Sequence, residues 1–137
     1  MAFEYELKKM GIESEREIIS IGDDFKATDY DFIFFGGGQD YEQNIVKDDL
    51  LKKKKELVDY IENNGLFLAI CGGYQLLGKY YYNSEGEKIE GLGVFDHYTL
   101  NQTSKNRLTG EIKIHTDKFD ETCVGFENIG GRTISEM

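Results

Sequence analysis

The sequence predicts an α/β fold whose sheet is parallel in its first half and gains antiparallel strands in its second half. In the first half, apolar runs of strand length alternate with segments whose apolar residues recur at helical spacing. From Gly93 onward the pattern changes to period-two strands separated by turn residues. The chain has 137 residues and no internal repeat, so we expect a single domain with a real hydrophobic core.

The elements follow from these patterns one by one. In chain order we predict a helix over Phe3–Met10 ended by Gly11, strands over Glu17–Ile21 and Asp31–Phe35, a helix over Asp48–Asn63, a strand over Leu66–Ile70, a helix over Gly72–Tyr82, and strands over Val94–Leu100, Arg107–Ile114 and Thr122–Glu127. One face of the long helix is predicted to be apolar and to carry Leu50, Leu51, Leu57, Val58 and Ile61. Its run Lys52–Lys55 is predicted to be the solvated side.

Composition excludes several classes of function. The chain carries 26 acidic and 16 basic residues, a net charge of −10, which disfavours a nucleic-acid partner because such a partner needs a basic face. No apolar run approaches the roughly 20 residues of a membrane span, and no signal peptide opens the chain. With two cysteines and no secretory signal, we expect free thiols in a reducing cytoplasm, and Cys123 is predicted to be a core residue.

The most informative segment is Leu66–Gln75, in which an apolar run meets Cys71, two glycines follow, and helix-forming residues resume. This order is typical of a nucleophile elbow, a buried strand followed by a sharp turn that carries the nucleophile and then a helix. The helix N-terminus favours the thiolate over the thiol, and Gly72 and Gly73 allow a substrate to approach closely. A buried structural cysteine at a strand end remains the alternative.

A second glycine segment, Gly36–Gly38, follows the predicted strand Asp31–Phe35. Backbone N–H groups of Gly37 and Gly38, together with that of Gly72, are candidates for binding the oxyanion that forms when a thiolate attacks a carbonyl. A phosphate-binding loop is the weaker alternative, because neither glycine-rich phosphate motif has its required spacing here. Both glycine segments end parallel strands, and ligands bind at that edge of such a sheet.

These residues carry a family resemblance. The Gly36–Gly38 loop and the Cys71-Gly72-Gly73-Tyr74-Gln75 motif resemble class I glutamine amidotransferases, which have a flavodoxin-like sheet, and in particular their cobyric acid synthase-like branch. Glu90–Gly93 is similar to a segment of that branch. The stretches Asn106–Ile112 and Val124–Thr133 resemble the amidotransferase subunit of lipid II isoglutaminyl synthases more than the cobyric type, which usually has a histidine at the position of Asn128.

The resemblance implies an enzyme that hydrolyses L-glutamine to glutamate and ammonia through a thioester on Cys71. It implies no cofactor and no metal, and a Mur-ligase-like synthetase subunit as heterodimeric partner that uses the ammonia to amidate the D-glutamate of lipid II. Arg107 is the candidate for the α-carboxylate of glutamine, because a guanidinium matches a carboxylate bidentately. Arg132 is a second candidate, and a surface arginine is the simpler alternative for Arg107. Gln75 is placed near the site, as a substrate contact or a brace of the elbow.

The chain also departs from the family pattern. A first strand ahead of the helix over Phe3–Met10 and a downstream segment with the catalytic histidine are both missing, so an incomplete domain is expected. His97 and His115 lie in strand-like runs, where a solvent-facing histidine is the ordinary expectation. Without the family's histidine the chain should bind glutamine better than it turns it over. A cobyric-acid-type amidotransferase and a non-catalytic interaction domain remain the alternatives.

Overall fold

The computed structural model describes residues 2–38, 40–101, 107–118 and 120–135. Its helices and strands are α1 (Ala2–Lys9), a 3-10 turn (Ala27–Asp29), β1 (Phe32–Phe35), α2 (Asp40–Glu62), β2 (Leu66–Ala69), α3 (Gly72–Leu77), β3 (Tyr80–Tyr82), β4 (Lys88–Glu90), β5 (His97–Asn101), β6 (Leu108–Thr116), β7 (Glu121–Ile129) and β8 (Gly131–Ser135). The α/β class and the parallel pairing of the first-half strands are confirmed.

The first sheet consists of β1 and β2, which run parallel and in register. Phe35, Phe67 and Ala69 pack against the core on one face. On the other face Phe34 is 50% exposed and Leu68 is 45% exposed, as the period-two alternation of a strand requires. Because both strands end at the same edge, the loop after β1 and the turn after β2 lie side by side.

The core lies where α2, α3 and the second sheet meet. Its buried apolar side chains are Leu50, Leu57, Leu76, Leu77, Tyr81, Ile89 and Leu92. The second sheet has the order β4-β3-β5-β8, with β3 and β5 parallel and the other neighbours antiparallel. The third, β6–β7, is a long antiparallel hairpin paired from Leu108–Ile129 to Thr116–Glu121.

Two predicted elements are wrong. No strand forms over Glu17–Ile21; Ile18 is 73% exposed, and the backbone of Ser20 bonds the Asp23 carboxylate and the Lys53 ammonium rather than a neighbouring strand. β-propensity cannot substitute for a pairing partner. The helix predicted over Gly72–Tyr82 ends at Leu77, since a separate backbone segment takes its last carbonyls and Tyr80–Tyr82 joins the second sheet.

Two smaller expectations also change. Cys123 is exposed on β7 and not a core residue, because the hairpin leaves both its faces open to solvent there. Lys53 departs from its predicted solvated position; its side chain is 12% exposed and pairs with Asp49 one turn earlier. Within the part of the chain that the structure describes, no helix is both long and apolar enough to cross a membrane.

Candidate active site

The predicted elbow is present at Cys71. Its backbone has φ 55° and ψ −119°, a region that residues with a side chain rarely adopt, and it occupies the position just before α3. The turn is held by short-range bonds, from the Gly73 N–H to the Ile70 carbonyl (3.0 Å) and from the Gln75 N–H to the Cys71 carbonyl (3.1 Å). The Ile70 N–H in turn donates to the Phe35 carbonyl at 2.9 Å, so the residue before the elbow is bonded directly to the end of β1.

Glycines allow the loop after β1 to approach the elbow. A Cβ on Gly37 would lie 2.9 Å from the Cβ of Cys71, 3.0 Å from the Gly72 nitrogen and 3.3 Å from the sulfur. A Cβ on Gly73 would lie 2.6 Å from the Phe35 carbonyl oxygen. Any side chain at either position would push the two turns apart, which explains why the glycines stand at these points of the sequence.

The other end of α3 is capped by a segment that we call the carbonyl clamp, residues 91–97. The last carbonyls of an α-helix lack partners within the helix. Here the Leu92 N–H donates to the Leu76 carbonyl at 2.7 Å, and the Val94 N–H donates to the Leu77 carbonyl at 2.9 Å. A Cβ on Gly91 would overlap the carbonyl oxygen of Gly78, so only glycine fits there. The sequence marked this segment only as a family resemblance; its two glycines around Leu92 were the available signal.

The two histidines occupy different environments. His97 is 3% exposed, its Nε2 lies 2.9 Å from the Tyr74 carbonyl oxygen, and its ring stacks on that of Tyr74 at 4.2 Å. A carbonyl only accepts, so Nε2 carries the proton. Helical carbonyls point toward the C-terminus, so His97 binds α3 from its C-terminal end, whereas Cys71 precedes its N-terminal end. The solvent-facing expectation is therefore wrong for His97 and confirmed for His115, which is exposed near Asp117.

A cleft of about 370 Å³ opens beside the elbow. Its lining is mostly apolar and consists of Ile21, Phe35, Gly36, Gly37, Gly38, Ile45, Val46, Gly73 and Leu76. Gly38 therefore faces this cleft, whereas Gly37 touches both the cleft and Cys71. A free amino acid needs polar partners for its charged ends, whereas the lining residues that the structure describes supply mainly apolar side chains and glycine backbone.

A hydrogen bond to the Asp49 carboxylate of α2 holds the loop that carries Ile21. The Asp49 carboxylate accepts a bond from the Gly22 N–H at 3.0 Å and pairs with Lys53. Hydrogen bonding to Lys53 is the largest cause of a lowered pKa of Asp49, and the Gly22 N–H is the second. The buried ionised carboxylate thus fixes one wall of the cleft.

The side chains of Gln75 and Arg107 both lie near the two glycines where β8 begins. The Nε2 atom of Gln75 is 3.8 Å from the position of a Cβ on Gly131, the first residue of β8. One residue earlier, a Cβ on Gly130 would lie 3.2 Å from Nη1 of Arg107. Gln75 and Arg107 therefore approach two adjacent residues, Gly131 and Gly130.

The guanidinium of Arg107 is exposed but ordered by its own hairpin. Its Nε donates to the Asn128 side-chain oxygen at 2.5 Å, and its Nη2 donates to the Asn128 backbone carbonyl at 3.2 Å. Arg132, the second candidate, lies in β8 and bonds the carbonyl of Gly131 at 3.1 Å. Among the described residues, no group of three or more His, Cys, Asp or Glu side chains could hold a metal ion.

Comparisons with known proteins agree with this geometry. The family model of the CobB/CobQ-like glutamine amidotransferase domain matches residues 1–137. The chain is 55% identical to the lipid II isoglutaminyl synthase (glutamine-hydrolyzing) subunit GatD of Streptococcus pneumoniae, over 97% of this chain and 51% of that protein. It is 50% identical to the subunit of the same name in Staphylococcus aureus, over 78% of this chain and 43% of that protein.

A more distant relative belongs to the cobyric branch. A protein named as a probable cobyric acid synthase of Methanococcus maripaludis is 40% identical over 67% of this chain and 20% of its own length. The chain therefore spans about half the length, or less, of the curated relatives it matches. With the elbow, the glycine loop and the full-length family match in agreement, the chain belongs to the CobB/CobQ-like glutamine amidotransferase family.

Proposed function

We propose that this chain is the nucleophile-bearing part of a glutamine amidotransferase that releases ammonia from L-glutamine. The observation that carries the proposal is the backbone of Cys71, held at φ 55° against Gly37 and at the head of α3. A strained conformation at a cysteine costs about 1–3 kcal/mol, and such strain concentrates at functional sites. A buried structural cysteine has no need of that conformation, and Cys71 is exposed.

The chemistry requires a nucleophile and an oxyanion site. The Cys71 thiolate attacks the side-chain carboxamide carbon, and the carbonyl electrons move to oxygen. Collapse of this intermediate breaks the C–N bond, the leaving nitrogen takes up the proton that the thiol gave up and departs as ammonia, and a thioester remains. Water then hydrolyses the thioester to glutamate and the free thiol. We assign stabilisation of the oxyanion to backbone N–H groups of Gly37, Gly38 and Gly72, with Gly37 and Gly72 the nearest to Cys71.

Recognition of the amino-acid end is assigned to Arg107. A zwitterion bound near Cys71 leaves its carboxylate unpaired unless a cation meets it, which is costly. The bonds from Arg107 to Asn128 hold its guanidinium in one orientation, so less side-chain entropy is lost on binding. We assign Gln75 a bracing role between α3 and the turn before β8.

For the acceptor, we propose amidation of the lipid II D-glutamate in peptidoglycan synthesis. The relatives of Streptococcus pneumoniae and Staphylococcus aureus, both named as subunits of lipid II isoglutaminyl synthase, support this choice. The same names imply a partner subunit, which we propose to be a Mur-ligase-like synthetase forming a heterodimer with this protein. A cytoplasmic location remains a prediction of the cysteine content.

The second candidate is a cobyric-acid-type amidotransferase, favoured by the relative of Methanococcus maripaludis. Asn128 argues against it, because the cobyric type usually has a histidine there, whereas Asn128 accepts two bonds from Arg107 here. The first candidate also has the higher identity over the larger share of the chain.

Turnover by this chain alone should be slow. His97 is an unsuitable general base for Cys71 because its Nε2 is bonded to the Tyr74 carbonyl, and His115 is unsuitable because it lies on the exposed hairpin. In enzymes that pair a nucleophile with a catalytic histidine, loss of the histidine lowers the rate on the order of 10⁴-fold. We expect the chain to release little ammonia from glutamine, and strong turnover abolished by His97→Ala or His115→Ala would show that one of them is the base.

The proposed function is tested by covalent labelling. A diazo-ketone analogue of glutamine should modify Cys71, with peptide mass spectrometry reporting the site. Cys123 provides an internal control, because it is also exposed and lies outside the elbow. The Cys71→Ser variant should lose the label and Cys123→Ser should keep it. Equal labelling of both thiols, or of neither in a folded sample, contradicts the proposal.

A further inference from the structure

Helix α3 is a poor helix by its own sequence. It has six residues, and it begins with Gly72 and Gly73, which are weak helix formers. The residue before it, Cys71, has a strained backbone with a positive φ. Such an element keeps one conformation only if contacts from outside it fix its position.

The carbonyl clamp supplies those contacts, and one of them comes from a side chain. Backbone N–H groups of Leu92 and Val94 bind the carbonyls at the end of α3, but the carbonyl of Tyr74 is bound by the imidazole of His97. The contact is two-sided, because the ring of His97 also lies parallel to the Tyr74 ring, with an interplanar angle of 6°. His97 therefore fixes both the backbone and the side chain of the same helical residue.

The position of His97 makes this contact rigid. It is the first residue of β5, it pairs with Ser135 of β8, and it is 3% exposed. Gly78, just after α3, packs so closely that a Cβ there would lie 2.6 Å from the imidazole atoms Cδ2 and Nε2. The imidazole therefore packs against the backbone at Gly78, where any side chain would collide with it.

We propose that His97 is a positioning residue for Cys71. By donating its Nε2–H to Tyr74, three residues after the nucleophile, it ties the elbow helix to the second sheet and so sets where the sulfur stands relative to Gly37 and Gly72. This inference rests on the proposed role of Cys71 as nucleophile. His97 acts on the reaction through α3 and does not touch the substrate.

Two substitutions separate the hydrogen bond from the bulk of the ring. His97→Phe keeps an aromatic ring against Tyr74 and removes the donor, whereas His97→Gln keeps an N–H donor at a similar reach. His115→Phe is the matched control, since it makes the same change at an exposed histidine of the hairpin. Hydrogen–deuterium exchange of the Gln75 and Gly78 amides reports on the elbow helix without any glutamine chemistry.

In His97→Phe we expect exchange at these amides to be about tenfold faster, the effect of one hydrogen bond to a buried carbonyl. The ratio of labelling by the diazo-ketone analogue to alkylation by a neutral haloacetamide at Cys71 should fall about tenfold, because only the analogue needs an aligned sulfur. His97→Gln should restore most of the slow amide exchange and most of the labelling ratio. His115→Phe should leave the exchange rates and the labelling ratio unchanged. Wild-type behaviour of His97→Phe, or equal damage in His97→Gln, overturns the inference.

A measurement on the unaltered protein covers the case in which His97→Phe does not fold. Nitrogen NMR of the imidazole should show the Nε2–H tautomer of His97 at neutral pH, with slow exchange of that proton. The Nδ1–H tautomer would overturn the inference. Failure of the proposed function is distinguishable, since it appears as absent analogue labelling of the wild type while the exchange and tautomer results stand.

Discussion

The elbow region and the β6–β7 hairpin carry the two halves of the proposed site in opposite physical settings. Around the elbow, Leu76 and Leu77 are 1% exposed, and the carbonyls at the end of α3 are bound by the clamp. On the hairpin, Val124 is 75% exposed and Phe126 is 71% exposed. The hairpin is built almost entirely from the pairing of its own two strands.

This difference separates the roles of the two regions. A nucleophile must be held within a fraction of an ångström of its working position, and the buried residues of α3 behind the exposed Cys71 suit the elbow to this proposed role. Recognition of a carboxylate requires a correctly oriented cation, the role we propose for Arg107, which Asn128 holds in one orientation even on an exposed hairpin. The apolar residues that the hairpin exposes contribute little to the stability of this chain. Substitutions should therefore affect stability at the elbow and binding at the hairpin.

The largest expected effect is a loss of stability when a methyl group is added at Gly91 in the carbonyl clamp. In Gly91→Ala the Cβ would overlap the Gly78 carbonyl, a backbone atom that cannot yield without moving the end of α3. We expect the free energy of unfolding to fall by about 3 kcal/mol. Chemical denaturation followed by circular dichroism measures it.

The matched change on the hairpin is Gly125→Ala. A Cβ there would meet only the Ile112 side chain, at an ordinary 3.7 Å. Because glycine is unfavourable within a strand, we expect the free energy of unfolding to rise by about 0.5 kcal/mol. Equal destabilisation by the two substitutions would contradict the contrast between the regions.

Substitution of Arg107 is expected to weaken glutamine binding without changing the stability of the fold. In Arg107→Ala we expect glutamine affinity, or analogue labelling of Cys71, to fall about 10- to 100-fold, the effect of losing charge-assisted bonds to a carboxylate. Haloacetamide alkylation of Cys71 and the unfolding midpoint should stay unchanged. Arg107→Lys should restore only part of the loss, since an ammonium cannot form two parallel bonds.

Calorimetric titration with glutamine checks this prediction. Unchanged affinity in a folded Arg107→Ala protein would move the carboxylate-binding role away from Arg107. Arg132, in β8, would be the next residue to substitute.

The buried Asp49 carboxylate predicts that the free energy of unfolding depends on pH in the acid range. Its pKa is lowered in the folded protein, mainly by Lys53, so its stabilising contribution is present above the unfolded value of about 3.9 and is lost as pH falls through the folded value. We expect Asp49→Asn to lose about 1.5–2 kcal/mol at neutral pH and less at low pH. Unfolding measured across the acid range checks this; parallel curves for the two proteins would contradict it.

The smallest effect on glutamine binding is expected at Asn128. In Asn128→Ala the Arg107 guanidinium loses its bond to the side-chain oxygen but keeps its charge. Glutamine affinity should fall only severalfold, about 1 kcal/mol, with no change in unfolding. A loss as large as that of Arg107→Ala would indicate that Asn128 itself contacts the substrate.

The sequence predicted those parts of the fold that depend on local chemistry. The β1 and β2 runs, the helix α2 and the turn at Cys71 follow from apolar periodicity and from glycine placement. The run Glu17–Ile21 has the composition of a strand, but a strand also needs a partner, and composition does not reveal one. The end of α3 was missed for the same reason, because its carbonyls are bound by residues 91–97, far along the chain.

In the candidate site, too, some features follow from the local sequence and others depend on residues far apart in the chain. Cys71 and Gly37 were predicted from their neighbours in sequence, and their proximity follows from two parallel strands that end at one edge. His97 was not identified as a partner of the elbow helix. Its contact with Tyr74 spans 23 residues, and no local pattern distinguishes a histidine that enters the core from one that faces solvent.

The central claim, that Cys71 is the nucleophile of a glutamine-specific site, is tested most directly by substrate protection. The rates at which a haloacetamide alkylates Cys71 and Cys123 are measured by mass spectrometry with increasing L-glutamine, and with D-glutamine and L-alanine as controls. We expect L-glutamine alone to slow alkylation of Cys71 in a saturable manner while the rate at Cys123 stays constant. Alkylation of Cys71 that is unaffected by L-glutamine, or slowed equally at both cysteines, would contradict the account.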